Sequence, residues 1–292
     1  MPLLDSVPVT SCHECVATLT LPLALFLLLA ETAVGGVATV AYLRVSGGLT
    51  HGFLKFVAVT YAALAALAFL VVLAAPPAAY QHLLRSINPA AAGTLVFLQG
   101  LLVVALIAHA IIVWRRQDGF AVSWALTLSA SVLVIAGIAA TFWPLAAPPL
   151  GGAAIALVVV LSAAVLGAAT TGMLLGHWYL VTPALTNRPL LRAIIVLLVS
   201  LVLQAVLVPL SLWGLTRGSD SPTYGLSLSP VLSILWALAA VFLPLVAGGL
   251  ALATCRLRSF MSTTGLLYLA MIAILPGQLL GQLLLFVAAA SA

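Results

Sequence analysis

Long apolar runs dominate this chain, and its polar residues fall mostly between them. A helix needs about 20 apolar residues to cross the hydrocarbon core of a membrane. Runs of that length, bounded by Gly, Pro and Arg, occur at residues 17–43, 53–75, 91–114, 121–143, 153–181, 191–215, 230–254 and 264–289. The strict alternation typical of outer-membrane strands is not found. The pattern predicts an all-α polytopic membrane bundle of about eight transmembrane helices, in which residues 1–292 form a single membrane domain.

Composition strengthens this prediction and excludes several classes of protein. Hydrophobic residues make up 65% of the chain and charged residues 5%, against about 25% charged residues in soluble domains. The segments between the runs reach only about fifteen residues, which is too short for a soluble domain with a nucleotide or a redox centre. No P-loop, nucleophilic-serine motif, paired-aspartate motif or HExxH sequence occurs, so the enzyme classes built on those motifs are disfavoured.

The basic residues predict an orientation. Eight of the ten lie around the loops that follow runs one, three, five and seven: Arg44, Lys55, Arg115, Arg116, Arg188, Arg192, Arg256 and Arg258. Only Arg85 and Arg217 lie on the other side. The positive-inside rule therefore predicts both termini outside. The basic charge indicates contact with anionic lipid headgroups and gives no reason to expect nucleic acid as a partner.

One acid interrupts the first run. Glu31 lies in the middle of LALFLLLAETAVGGVATVAYL, where ionisation in lipid costs several kcal/mol. Gly35 and Gly36 follow it, so a second backbone can approach the same part of the helix. Two interpretations remain open. Glu31 is either a protonated side chain that hydrogen-bonds a neighbouring helix, or a proton-transfer group or ligand contact that faces a cavity.

Two histidines within the runs are further candidates. His109 and His177 both lie toward the predicted inner ends of runs three and five. Gln99, Leu102, Leu106 and His109 follow 3,4,3 spacing, which predicts one continuous helix stripe. Histidines on two helices could ligate a b-type haem or hydrogen-bond a quinone carbonyl. Haem is the less favoured of the two, and interfacial histidines satisfied by loop carbonyls are the structural alternative.

Amides form the third group of polar residues inside the runs. Gln278 and Gln282 are one turn apart on one face, directly after Pro276 and Gly277, where we expect a helix break. Gln204 in the sixth run is a third buried amide. Such groups either hold helices together or line a ligand pocket.

Cys12 and Cys15 form a CHEC sequence before the first run. A lone CxxC lacks the further ligands that a zinc site needs and the following His that c-type haem attachment needs. A local disulfide or an interchain contact stays open, and no metal site is predicted.

Several features together resemble the membrane anchors of polysulfide and dimethyl sulfoxide reductases, the NrfD-like family. They are the eight runs, ETAVGG in the first, PGQLLGQ in the last, and an amphipathic outer segment, residues 75–93, whose Tyr80 and His82 are expected to face water or headgroups. The resemblance implies a subunit that binds quinone, carries no haem of its own and exchanges electrons with an iron-sulfur or cytochrome partner subunit. In that family's arrangement Glu31 would handle the proton, and the amides of the last run, Gln278 and Gln282, would fit the quinone site. From the residues alone, His177, His109 and Gln99 are further candidates for binding quinone or haem.

The leading hypothesis is therefore a quinone-binding membrane subunit of a respiratory or electron-transfer complex in the inner membrane of a prokaryote, either quinone-reactive or without catalysis of its own. A small-solute transporter or channel is the first alternative. A structural membrane subunit without its own chemistry is the second. The two halves of the sequence share no motif that would indicate an internal repeat.

Overall fold

In the part of the chain that the structure describes, eight helices are long and apolar enough to cross a membrane, as the hydrophobic runs predict. A computed structural model describes residues 9–84, 87–115, 121–145, 151–182, 186–216 and 230–291. No strand occurs in these ranges. The predicted fold class is confirmed for this part of the chain.

The spans are numbered here in chain order. Spans 1 to 6 are the helices Val9–Val45, His51–Ala74, Pro89–Arg115, Ala121–Phe142, Gly151–Val181 and Arg188–Thr216. Span 7 consists of Pro230–Ala237, a π-helical turn at Leu238–Phe242, and Leu243–Arg256; span 8 is Phe260–Ser291. Short 3₁₀ turns lie at Pro77–Tyr80 and Trp143–Leu145. Span 1 begins earlier than predicted and includes Cys12 and Cys15, whose side chains lie outside the described residues.

Spans 1 and 5 form the centre of the bundle. In their most apolar stretches, 83% of the residues of span 1 and 67% of those of span 5 are buried, against 28–44% in the other six spans. The peripheral spans expose large apolar side chains such as Phe97, Val132 and Ile272. Contact with lipid requires such an arrangement. Side chains on spans 1 and 5 therefore meet protein on most sides.

The helices pack as two halves with the same neighbour order. Span 1 contacts spans 2 and 4, span 2 contacts span 3, and span 3 contacts span 4. In the second half, span 5 contacts spans 6 and 8, span 6 contacts span 7, and span 7 contacts span 8. The halves meet mainly through spans 1 and 5. The tertiary structure thus reveals a correspondence between the halves that the sequence does not indicate.

Two glycines allow the central helices to touch. A Cβ atom built on Gly35 would lie 1.7 Å from the backbone oxygen of Ala163, and one built on Gly167 would lie 2.0 Å from the carbonyl carbon of Gly35. Backbone atoms cannot move aside as a flexible side chain can. The close approach predicted for the helix face of Glu31 is confirmed, and span 5 is the helix that approaches.

Contacts near the ends of spans 1, 5 and 7 and the starts of spans 4 and 6 define one end of the bundle, called the basic end here. Arg192 donates a hydrogen bond to the backbone oxygen of Ser46 at 2.5 Å, and Asn187 donates one to the backbone oxygen of Cys255 at 3.1 Å. Arg44 lies over the ring of Trp124, with 5.3 Å between the guanidinium carbon and the ring centroid. These contacts join segments that are far apart in sequence. Arg85, Arg116 and Arg217 lie outside the described residues.

The helix break expected at Pro276 and Gly277 is wrong. Span 8 continues through both residues, because neighbouring helices can compensate the hydrogen bond that a proline removes from a membrane helix. The irregular turn lies opposite, in span 7: a Cβ atom on Gly277 would lie 2.5 Å from the backbone nitrogen of Ala240, within the π-helical turn.

The segment before span 3, predicted to be amphipathic, contains the 3₁₀ turn Pro77–Tyr80. Tyr80 ends the 3₁₀ turn and is buried, whereas His82 is exposed. Burial raises the pKa of the Tyr80 hydroxyl above its usual value. The expectation that Tyr80 faces water or headgroups is therefore wrong, because the apolar body of its ring packs against the bundle core.

Candidate functional site

Glu31 lies where spans 1, 5 and 8 meet. Its side chain is 2% exposed. Its Oε2 atom accepts hydrogen bonds from the Ser162 hydroxyl at 2.5 Å and from Gln282 Nε2 at 2.9 Å. Donors from two other helices thus converge on one carboxyl oxygen. This arrangement suits a carboxylate, and equally the carbonyl oxygen of a neutral carboxylic acid.

Ser162 differs from most buried hydroxyl residues in this bundle. Thr32, Thr39 and Thr141 each donate to the backbone oxygen four residues earlier in their own helix, at 2.6 to 2.8 Å. That local bond satisfies a hydroxyl group in an apolar environment without a second helix. Ser162 instead donates across the bundle to Glu31. Its hydroxyl therefore links span 5 to Glu31 of span 1 and belongs to the polar junction.

Only one of the two polar atoms in the Gln282 side chain has a hydrogen-bond partner among the described residues. Its Nε2 donates to Glu31, while its Oε1 is buried and has no hydrogen-bond partner among the described residues. A buried acceptor without a partner costs about 1–3 kcal/mol. The junction therefore contains an acceptor that a water or a ligand hydroxyl could satisfy.

One turn earlier on span 8, Gln278 forms a reciprocal amide pair with Gln204 of span 6. Gln278 Nε2 donates to Gln204 Oε1 at 3.0 Å, and Gln204 Nε2 donates to Gln278 Oε1 at 3.3 Å. Both side chains are 4% exposed. Because Gln278 and Gln282 share a helix face, the polar side chains form a row from Ser162 and Glu31 to Gln204 across four spans.

Glycines on span 8 bring span 7 close to this row. A Cβ atom on Gly277 would meet the backbone of the π-helical turn, and one on Gly281 would lie 2.7 Å from Trp236 Nε1. π-Helical turns inside α-helices occur often at functional sites. The polar face of span 8 is therefore flanked by a close contact with the irregular turn of span 7.

His109 belongs to a different region, inside the first half. Its Nδ1 lies 3.1 Å from the Ser123 hydroxyl, and its ring meets Trp124 edge-on with 4.5 Å between centroids. His109 and Trp124 border a cavity of about 10 Å³ whose wall also includes Tyr61. That volume holds about one water molecule. The predicted stripe is confirmed, since Gln99, Leu102, Leu106 and His109 are all buried.

The remaining predicted site residues lie apart from Glu31. His177 is exposed at the basic end, so it does not join a buried seam with His109. Gln99 donates to the backbone oxygen of Ala65 at 3.0 Å, and its Oε1 is buried without a partner in the described ranges. Of the five predicted binding residues, the structure brings Gln282 to Glu31 and Gln278 to the adjacent turn.

The structure also shows polar residues that sequence reasoning missed. Ser162 is one, and the second is a hydrogen bond of 2.6 Å between the hydroxyls of Tyr61 and Thr171, which joins spans 2 and 5. Gly36 makes room for that tyrosine, because a Cβ atom there would lie 2.0 Å from the Tyr61 ring. The sequence signal was present but weak, since Ser and Thr within apolar runs more often bond their own helix.

No group of three or more His, Cys, Asp or Glu side chains in the described ranges is arranged to hold a metal ion. The polar junction around Glu31 offers one carboxyl, one hydroxyl and amides, which are groups that exchange protons and hydrogen bonds. Comparisons of the chain with protein-family models, with curated proteins and with solved structures found no match.

Proposed function

We propose that this chain is the quinone-reactive subunit of a membrane electron-transfer complex in the inner membrane of a prokaryote, with Glu31 as its proton-handling group. The observation that carries the proposal is the placement of a carboxyl at the buried junction of spans 1, 5 and 8, held by Ser162 and Gln282. An ionisable residue buried inside a membrane bundle is rare and is most often functional. Both the eight-span architecture and the resemblance to NrfD-like membrane anchors support the proposal.

The donors and acceptors at the junction fit the hydroxyl form of a quinone. Gln282 Oε1 is a buried acceptor without a partner among the described residues, and a quinol hydroxyl would satisfy it. Quinone supplies two-electron, two-proton chemistry when bound. Glu31 would accept and release the two protons one after the other, while Ser162 and Gln282 would hold its carboxyl in place. A partner subunit with an iron-sulfur or cytochrome centre would exchange the electrons.

The proposal is tested on the complex purified from native membranes. We expect organic extraction to recover quinone from the complex, and Glu31→Gln to reduce quinol-dependent electron transfer strongly while the subunits still co-purify. Thr141→Val is the matched control, because Thr141 is a buried hydroxyl bonded within its own helix. Absence of both quinone and a co-purifying redox subunit would contradict the proposal. Full activity in Glu31→Gln would favour a purely structural subunit.

A small-solute carrier is the second candidate, and one observation favours it. The two halves meet along spans 1 and 5 beside Glu31, and many carriers built from two halves bind substrate where the halves meet. Solute uptake into proteoliposomes containing this chain alone, lost in Glu31→Gln, would support that candidate over the first. Electron transfer would then be independent of the chain.

A further inference from the structure

We propose that the first part of span 7, Pro230–Ala237, is a gate that moves on the π-helical turn at Leu238–Phe242 and opens the second half of the bundle toward lipid. The gate rests on the proposed function and adds the route by which a quinol reaches its site. Glu31 and Gln282 are only 2% and 8% exposed. A ligand therefore contacts this junction only after a helix has moved.

Span 7 is the helix that can move at the lowest cost in packing. Gly35 and Gly167 hold the backbones of spans 1 and 5 in direct contact. In span 7, by contrast, 28% of the residues in the most apolar stretch are buried, the lowest share among the described spans. Val231 and Ile234 in its first part are 72% and 61% exposed. Moving this part therefore breaks fewer packing contacts than separating spans 1 and 5 would.

Pro244 explains the irregular turn in span 7. It has no backbone N–H, and in a continuous α-helix its ring would collide with the carbonyl group of Ala240. The structure has a π-helical turn directly before this proline instead, in which the Leu243 N–H donates to the Leu238 oxygen five residues earlier. Sharp bends in helices occur at prolines and π-helical turns. This turn is therefore the hinge of span 7.

The two parts of span 7 are held differently. After the turn, the hydroxyl of Thr254 lies 3.0 Å from that of Thr263 on span 8, and the end of the helix is hydrogen-bonded to the segment before span 6. Before the turn, the Trp236 ring packs on Gly281 of span 8. Hydrogen bonds therefore fix the second part at the basic end, and the first part is the one that can move.

Outward movement of the first part uncovers the polar row of span 8. In the second half, spans 5, 6, 7 and 8 contact one another in a ring, and the Gln204–Gln278 pair crosses this ring from span 6 to span 8. Span 5 therefore covers one side of the pair and span 7 covers the other. Gln282 lies one turn further along span 8, where it donates to Glu31. A quinol that enters from lipid beside Trp236 thus reaches the junction without crossing the loops.

Distances between spin labels test the gate in the full chain, reconstituted in lipid nanodiscs with its three cysteines replaced by Ser. Labels at Ile234→Cys and Ile272→Cys, two positions that are 61% and 68% exposed, report on the first part of span 7 relative to span 8. Labels at Leu250→Cys and Ile272→Cys are the matched control, because Leu250 is 53% exposed and lies after the turn. We expect two distances for the first pair, the longer one from the open gate, and one distance for the control.

Two proline variants separate the hinge from a general loosening of the bundle. Pro244→Ala restores the N–H that an α-helix needs, so it should abolish the longer distance. It should also lower quinol-dependent electron transfer in the complex by on the order of tenfold, because lid opening limits many membrane and soluble enzymes. Pro276→Ala is the matched control, since span 8 is a continuous helix at Pro276, and it should leave both distances unchanged.

A single narrow distance for the pair at positions 234 and 272 would overturn the gate, even if Pro244→Ala fails to fold. A longer distance that persists in Pro244→Ala, or that occurs equally in the control pair, would overturn it as well. The distances are measured without quinone, so the gate and the proposed function fail separately. Two distances in a chain that binds no quinone would support the gate and contradict the function, whereas one distance in a quinone-reactive complex would contradict the gate alone.

Discussion

Gln282 donates a hydrogen bond of 2.9 Å to Glu31 although 251 residues separate them. One turn earlier on span 8, Gln278 and Gln204 exchange two hydrogen bonds. The two contacts differ because Glu31 Oε2 only accepts, from Gln282 Nε2 and from Ser162, and Gln282 Oε1 is left without a described partner. The acid therefore makes its junction polar and incompletely satisfied, which an amide in its place would not do.

Glu31→Gln should preserve the fold and remove the proton chemistry. The new amide can accept from Ser162 and return a hydrogen bond to Gln282 Oε1, as in the Gln204–Gln278 pair. We expect the unfolding temperature in detergent to equal or exceed that of the wild type. Glu31→Leu is the comparison, because it leaves two buried donors unpaired and should cost about 1–3 kcal/mol for each of them. A Glu31→Gln protein as unstable as Glu31→Leu would show that the negative charge itself is needed.

The Gln204–Gln278 pair should contribute a measurable coupling energy. Gln204→Leu or Gln278→Leu alone leaves one amide unpaired in the core, whereas the double variant removes both. We expect the double variant to be more stable than the sum of the single effects predicts, with a coupling of about 1 kcal/mol. Unfolding of all four proteins in mixed micelles measures it. If the two single effects simply add up in the double variant, the remaining amide in each single variant has found another hydrogen-bond partner.

Gly35→Ala should destabilise the protein severely. The added methyl group would lie 1.7 Å from a backbone oxygen, so spans 1 and 5 must separate, at a cost of about 3 kcal/mol or more. Thermal unfolding followed by size-exclusion chromatography would report it. Gly265→Ala is the control, since nothing lies within 4 Å of its Cβ position and alanine favours a helix by up to about 1 kcal/mol. Equal stability of the two variants would contradict the close helix contact.

Gly277→Ala and Gly281→Ala should lose different amounts of stability, although the two positions are one helix turn apart. The methyl group at position 277 would meet backbone atoms of the π-helical turn, whereas at position 281 it would meet the Trp236 side chain. A side chain can rotate away, so we expect Gly277→Ala to lose clearly more stability. Because span 7 would shift near Gln278, Gly277→Ala should also lower activity in the complex. The reverse order of stabilities would argue against the packing of span 7 on span 8.

The hydrophobic pattern by itself determined the fold class, the number of spans and most of their bounds, because a membrane helix must satisfy its own backbone and show apolar side chains to lipid. It also identified Glu31, since an ionisable residue is rare in an apolar run, and the glycine one turn later, since a second backbone can approach there.

Only the tertiary structure decided which of these residues meet. A helix sequence gives the face on which a residue lies but not the helix that covers that face. The sequence therefore indicated neither that Ser162 contacts Glu31 nor that Thr171 contacts Tyr61, nor that His177 lies apart from Glu31. The same reason explains the correspondence between the two halves, which lies in the order of helix contacts rather than in shared motifs. The hydrogen-bond donors to Glu31 come from spans 5 and 8. The packing of these two helices therefore makes the acid a candidate site.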